Sequence, residues 1–326
     1  MPRVRITSTF LLNTALLIFA GAGPASAQDY PARPLRLVVP YAAGGSTDVL
    51  ARMVGQKLTA GFAQPVVIDN RTGAGTLIAT EIVARAAPDG YTLLMATPPL
   101  AVAPALYEKL PFDVARDFAA VTNIAATSNV LVVHPAVPAQ TVKELVALAT
   151  ANPGKYTFGS SGVGGASHLA VELFRSMAGI ELVHVPYKGG AVAVTDLIGG
   201  RLTLMFANLT TVQGHIKAGR VRALAIGTAQ RSLVMPDLPT VAAAGVPGYE
   251  ANNWNGVVAP AGTPRTVVER LQRAIKLAVD APDLREKLLQ NAFEPIADTP
   301  GEFARYLAAE RVKWAKVVRQ ADVRPE

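Results

Sequence analysis

Four stretches of the chain place glycines and hydroxyl side chains where an apolar run gives way to a helix start: "YAAGGSTD" (41–48), "NRTGAGT" (70–76), "GSSGVGGASH" (159–168) and "YKGGAVA" (187–193). Glycine lets the backbone approach a ligand and adopt positive φ. The helix that follows presents N–H groups without intrahelical partners, together with a partial positive charge. That is chemistry for holding an anion. One such loop is equally an ordinary tight turn. Four of them at the same end of an α/β fold make an anion-binding cleft, with serine and threonine hydroxyls as extra donors.

Signals for transforming a ligand are weaker. "GSSGVGG" and "GAGTLIAT" lack the Lys-Ser/Thr ending of a phosphate-binding P-loop, and no G-x-G-x-x-G follows the first strand. No G-x-S-x-G elbow surrounds Ser160 or Ser161. The four histidines, His134, His168, His184 and His215, show no metal-binding spacing. Ser161 and His168 could act as nucleophile and base, but seven residues across a glycine loop place His168 in the first turn of the next helix. No acid stands out as a general base. Asp48 falls in the first turn after Ser46, where a carboxylate caps N–H groups and suits the helix dipole. As a direct contact it would repel an anion.

The elements that must position these loops alternate between strand and helix, which predicts α/β layering around largely parallel sheets. "LRLVVP" (35–40), "PVVIDN" (65–70) and "YTLLMAT" (91–97) are strands, with helices over 47–60 and 76–87 and a Pro-Asp-Gly turn in "APDGY" (87–91). A second series starts near "NVLVVHP" (129–135). It continues with helix 141–151, strand 155–160, helix 166–178, strand 181–187, helix 191–199, strand 202–207, helix 211–218 and strand 221–227. Proline-rich "MPDLPTVAAAGVPGY" (235–249) precedes a return segment, and helices near 264–280, 282–291 and 300–320 close the chain. Two lobes result, with crossings expected near 125–130 and 245–252. Ligand sites in such sheets lie at the carboxyl ends of the strands.

Composition narrows the class. Arg3, Arg5, the apolar "FLLNTALLIFA" (10–20) and "ASA" (25–27) form a secretory signal cut after Ala27, which implies a periplasmic protein over 28–326. The apolar stretch is short for a membrane span. Removing Arg3 and Arg5 lowers the formal charge from +7 to +5. That excess is scattered over mixed-charge helices, with no aromatic-interleaved basic patch, so no nucleic-acid partner is expected. The chain has no cysteine, which excludes disulfides and thiol catalysis. Half of its residues are apolar, enough to build a core.

"VVPYAAGGSTDVLAR", "NRTGAG", "PDGYTLL", "PALYEKLPFDVARDFAAVT", "FGSSGVGGASHLAVELF", "VPYKGG", "LPTVAAAGVPGY" and "APAGTP" occur in the same order as in the Bug/TctC family. The chain resembles these extracytoplasmic solute receptors of tripartite tricarboxylate transporters from about residue 30 to its end. The resemblance implies an α/β, two-lobed periplasmic binding protein of the type II-like, Venus flytrap kind, with a ligand cleft between the lobes. It implies a signal peptide over 1–27, lobe 1 over 28–128 and 251–326, and lobe 2 over 129–250. A small carboxylated solute would be held mainly by backbone N–H groups and ordered water. Carried onto this sequence, the first-lobe contacts are Tyr41, Ala43, Gly44, Gly45 and Asp48. Those of the second lobe are Ser160, Ser161, Gly164, Gly165 and His168, while Thr97, Tyr187, Lys188 and Asn208 tune the rest of the pocket. Gly165, Asn208 and Val163 depart from residues common in relatives, which bears on ligand identity. No catalytic residue, metal or cofactor is implied; the partners are the carboxylate and the transporter's membrane subunits, and the receptor is a monomer. A ligand-sensing receptor and a secreted α/β hydrolase or transferase using Ser161 and His168 stay open as alternatives.

Overall fold

A computed structural model describes residues 1, 30–187, 189–321 and 323–324. The expected signal segment over 1–27, apart from Met1, and Lys188 lie outside these residues. Three short strands begin the fold: β1 (Leu35–Val39), β2 (Val66–Asn70) and β3 (Thr92–Ala96). They are joined by α1 (Ser46–Phe62) and α2 (Leu77–Ala84), and α3 (Pro98–Leu106) follows β3. All pairings within the order β2-β1-β3 are parallel, as helical crossovers require.

The next strand, β4 (Phe118–Val133), is 16 residues long. The second series hangs on its end: α4 (Val142–Ala151), β5 (Thr157–Ser160), α5 (Ala166–Ala178), β6 (Val183–Pro186), α6 (Gly190–Ile198), β7 (Leu204–Asn208), α7 (Leu209–Lys217) and β8 (Arg222–Ile226). The chain returns through β9 (Asn252–Pro260), α8 (Arg265–Asp280), α9 (Pro282–Gln290), β10 (Phe293–Pro295) and α10 (Pro300–Gln320). The helices expected at the end of the chain are present within a residue or so of their expected bounds.

The sheet departs from the largely parallel expectation. Its order is β2-β1-β3-β9-β4-β7-β5-β6, with β8 and β10 also paired to β4. The trios β2-β1-β3 and β7-β5-β6 are parallel, but β9 is antiparallel to both β3 and β4, and β4 is antiparallel to β7 and β8. The cause is connectivity: β4 carries the chain out to the second series and β9 brings it back alongside. Residues 118–128 of β4 pair with β9, and 129–133 pair with β7. The strand therefore changes partners between Ser128 and Asn129.

Residues 118–128 were not assigned to a strand from sequence, where only a crossing near 125–130 was expected, and "TNIAATSN" (122–129) carries several polar residues. Thr122, Asn123, Thr127, Ser128 and Asn129 are instead buried. Buried polar groups need partners, and apart from Asn123 Oδ1 these have them. The Asn123 N–H and the Thr122 hydroxyl donate to Asp298. The Thr127 hydroxyl donates to the Asn253 carbonyl, and Ser128 donates to Glu294 at 3.0 Å. Three backbones meet at Gly227, whose N–H donates to the Asn129 carbonyl at 2.7 Å and whose carbonyl accepts from the Ala251 N–H at 2.8 Å. A Cβ there would stand 2.9 Å from the Ala251 oxygen, so only glycine fits.

Apolar layers cover both faces. Leu50, Val54 and Leu58 of α1, with Leu271 and Ile275 of α8, pack on Leu35, Leu37 and Val39 of β1. Val194 and Leu197 of α6 pack on Val130, Val132 and Met205. Long α10 lies against α3 and α5 and locks onto β9 through Glu310. That buried carboxylate accepts from the indole N–H groups of Trp254 at 3.2 Å and Trp314 at 2.8 Å, and Lys313 pairs with it.

Candidate functional site

The glycine loops converge. A cleft of about 730 Å³ is lined by residues of the loops after β1, β2 and β5 and by the N-terminus of α6. Each loop arises where a strand ends against the sheet and a helix must start beside it. At α1 and α5 the N-cap is a glycine, Gly45 or Gly165, and no side chain caps the helix. Gly189 before α6 is likewise uncapped. The first N–H groups of these helices have no intrahelical acceptor and carry the positive end of the dipole. Among the described residues no Lys, Arg, Asp or Glu side chain lines the cleft. The cleft can therefore hold an anion on backbone amides and hydroxyls.

Tyr41, Ala43, Gly45, Ser161, Gly164, Gly165 and Asn208 line the cleft. Gly44 sits between two lining residues at φ +85° and turns its N–H onto Asp48. Five other expected site residues do not line it. Asp48, 1% exposed, accepts from the Gly44 N–H at 2.9 Å, Arg52 Nε at 2.8 Å and Asn70 Nδ2 at 2.9 Å. Burial raises its carboxyl, but Arg52, the Gly44 N–H and Asn70 outweigh burial and hold it below the ordinary value. Thr97 bonds the Tyr41 hydroxyl at 3.2 Å, and burial pushes that phenol above its ordinary value. Ser160 is fully buried and lies 2.7 Å from His184 Nε2. The Tyr187 hydroxyl donates to Asp196 at 2.8 Å, and desolvation and that carboxylate raise its pKa.

His168 accepts the Gly164 N–H on Nδ1 at 3.0 Å, which leaves its proton on Nε2, 3.6 Å from Glu172. Its ring stacks on His184 at 3.9 Å, which stacks on Phe158 at 4.7 Å. Desolvation, and His168 after it, push His184 down to about 4. The Ser161 hydroxyl pairs with Ser167 at 2.9 Å, so Ser161 and His168 do not form a nucleophile–base pair in this structure.

Several lining residues were not among those expected. Thr72, Gly73, Gly75 and Thr76 come from the 70–76 loop, which sequence singled out as glycine-rich without assigning contacts. Leu106 and Tyr107 at the end of α3 form a wall, with Leu106 reaching across to Gly164. Asn129 and Asn253 enter from the crossing strands. A polar run inside an otherwise apolar strand was the available signal for Asn129.

A cleft between two strand–glycine-turn–helix series joined by crossing strands defines a two-lobed α/β binding protein of the periplasmic kind. The chain belongs to the TctC family, described as "Tripartite tricarboxylate transporter family receptor", whose profile matches residues 50–323. It is 38% identical over 317 residues to the protein BugT of Bordetella pertussis, covering 96% of this chain and 97% of that one. Among solved structures it is similar to R. palustris Rpa4515 with adipate, at 38% identity and TM-score 0.80, covering 91% of this chain and all of that one. It is also similar to MatC from Rhodopseudomonas palustris with bound malate, at 30% identity and TM-score 0.75, covering 89% of this chain and all of that one.

Proposed function

We propose that this chain is a periplasmic receptor, cleaved after Ala27, that captures a small carboxylated solute without transforming it. It hands the solute as a monomer to the membrane subunits of a tripartite tricarboxylate-type transporter. One observation carries the reading: the uncapped N-termini of α1 and α5, from opposite halves of the sheet, open into one cleft. Tyr41, Ala43, Gly44, Gly45, Ser161, Gly164, Gly165 and Asn208 surround the carboxylate. Lobe 1 comprises 28–128 and 251–326 and lobe 2 comprises 129–250, a division supported by the change of partners in β4 at Ser128 and Asn129. The adipate and malate carried by the two similar structures support a dicarboxylate.

Micromolar binding needs about −8 kcal/mol. Several charge-assisted hydrogen bonds of about 1.5–3 kcal/mol each supply it after ordering costs. Solute stabilises the closed form because only closure brings both helix termini to one anion. Titration calorimetry of the purified protein with adipate, malate and the uncharged adipamide tests this. The acids should bind and the diamide should not, with the solute recovered intact. Absence of binding across a panel of carboxylic acids, or consumption of the solute, overturns the proposal.

A further inference from the structure

The two loops that face the cleft run in parallel, 42–48 against 162–168, apart from Gly162, whose φ of +128° Ala42 does not share. Gly44 and Gly164 both take positive φ, +85° and +72°. Gly45 and Gly165 have nearly equal backbones, φ −73° and ψ 165° against φ −69° and ψ 161°. The Gly45 N–H donates to the Ala42 carbonyl at 3.4 Å, as the Gly165 N–H does to the Gly162 carbonyl at 3.2 Å. In each loop the positive-φ glycine donates to the side chain four residues on: Gly44 to Asp48 Oδ2 at 2.9 Å, Gly164 to His168 Nδ1 at 3.0 Å. The correspondence extends one helical turn further. Arg52 stands behind Asp48 at 2.8 Å, and Glu172 stands behind His168 at 3.6 Å.

Asp48 and His168 differ in charge, size and chemistry, and share one property at the loop, a buried acceptor for that glycine N–H. Neither lines the cleft, and they are 1% and 5% exposed. We infer that Asp48 and His168 are equivalent positioning residues, each of which locks its glycine turn from behind and so aims the remaining loop N–H groups at the ligand without touching it. This rests on the receptor reading. The acceptor consumes the one N–H that the left-handed glycine points away from the cleft, and the next N–H groups are then fixed by the helix start. Arg52 and Glu172 orient the acceptors, by donating to Asp48 and by facing the Nε2–H of His168.

Two substitutions at His168 separate the acceptor from the ring. His168→Phe keeps an aromatic ring against His184 but offers no acceptor. His168→Asn loses the ring but returns an oxygen at the distance from which Asp48 already reaches Gly44. The readouts are amide exchange of Gly164 in labelled protein and affinity for adipate and malate. His168→Phe should release the Gly164 amide to faster exchange and weaken binding between about fivefold and 150-fold, the span expected for one lost buried hydrogen bond. His168→Asn should keep the slow amide and stay within about threefold of the parent. The inference is overturned if His168→Phe leaves both readouts unchanged, or if His168→Asn loses the Gly164 protection, which remains informative should His168→Phe not fold. A parent protein that binds neither acid refutes the dicarboxylate reading, while amide exchange still decides whether His168 holds the turn.

Discussion

Gly164→Ala should weaken ligand capture more than Gly44→Ala, although the two glycines occupy matching turns. Both substitutions force an L-residue to positive φ, at +72° and +85°, a cost of about 1–2 kcal/mol each. At Gly44 an added Cβ meets open space among the described residues, whereas at Gly164 it lands 2.7 Å from Leu106 Cδ1. Leu106 belongs to α3, so this clash falls on the contact between the β5–α5 loop and the opposite wall of the cleft. Leu106 Cδ1 is the end of a flexible, half-buried side chain. The cost therefore falls at the low end of the range of about 1–3 kcal/mol for overpacking, equivalent to about a fivefold loss of affinity if only the closed form suffers it. Thermal melts without ligand should fall for both variants, while calorimetry with adipate and malate separates them. Adding Leu106→Ala should restore the Gly164→Ala affinity toward that of Gly44→Ala, a coupling that a double-mutant cycle isolates. Equal affinities for the two single variants, or no recovery in the double variant, would refute the reasoning.

Two titrating groups outside the cleft predict opposite pH responses. Burial raises Asp298 to about 6, despite the bonds it accepts from the Asn123 N–H and the Thr122 hydroxyl. An acid with a raised folded pKa favours the fold when protonated, so its contribution is present below about pH 4 and is lost as pH rises through 6. Asp298→Asn should accordingly melt higher than the parent at pH 7 and lose that advantage at pH 4; a gain confined to acid would contradict this. His184, held down at about 4, favours the fold when neutral. Its contribution is complete above the ordinary imidazole value of about 6.5 and is lost as pH falls toward 4. His184→Gln should consequently lose less melting temperature than the parent between pH 6.5 and pH 4, and an unchanged acid limb would remove His184 as its source.

Local chemistry made much of this protein legible in sequence. The strand–glycine–hydroxyl–helix pattern at 41–48 and 159–168 is set within ten residues by backbone sterics and helix-start preferences, and the closing helices follow from 3.6-residue periodicity. The family resemblance was legible for the same reason, being carried by these short motifs. Other features depend on distant partners. "TNIAATSN" becomes strand only because Asp298, Asn253 and Glu294, far along the chain, receive its polar groups. The antiparallel centre of the sheet follows from where β9 returns, which no local pattern records.

The chemistry of the cleft divides the same way. Sequence by itself determined that glycine loops with unpaired N–H groups would be available to an anion, because a helix start after glycine exposes them wherever it falls. It left Ser161 and His168 open as a reactive pair and placed Asp48 and His168 among ligand contacts. Only the tertiary structure decided where their acceptor atoms point: His168 Nδ1 onto Gly164, Asp48 onto Gly44, and the Ser161 hydroxyl onto Ser167. Side-chain direction at a turn depends on what packs behind it, and Glu172, His184, Arg52 and Asn70 reach that space from α5, β6, α1 and the end of β2.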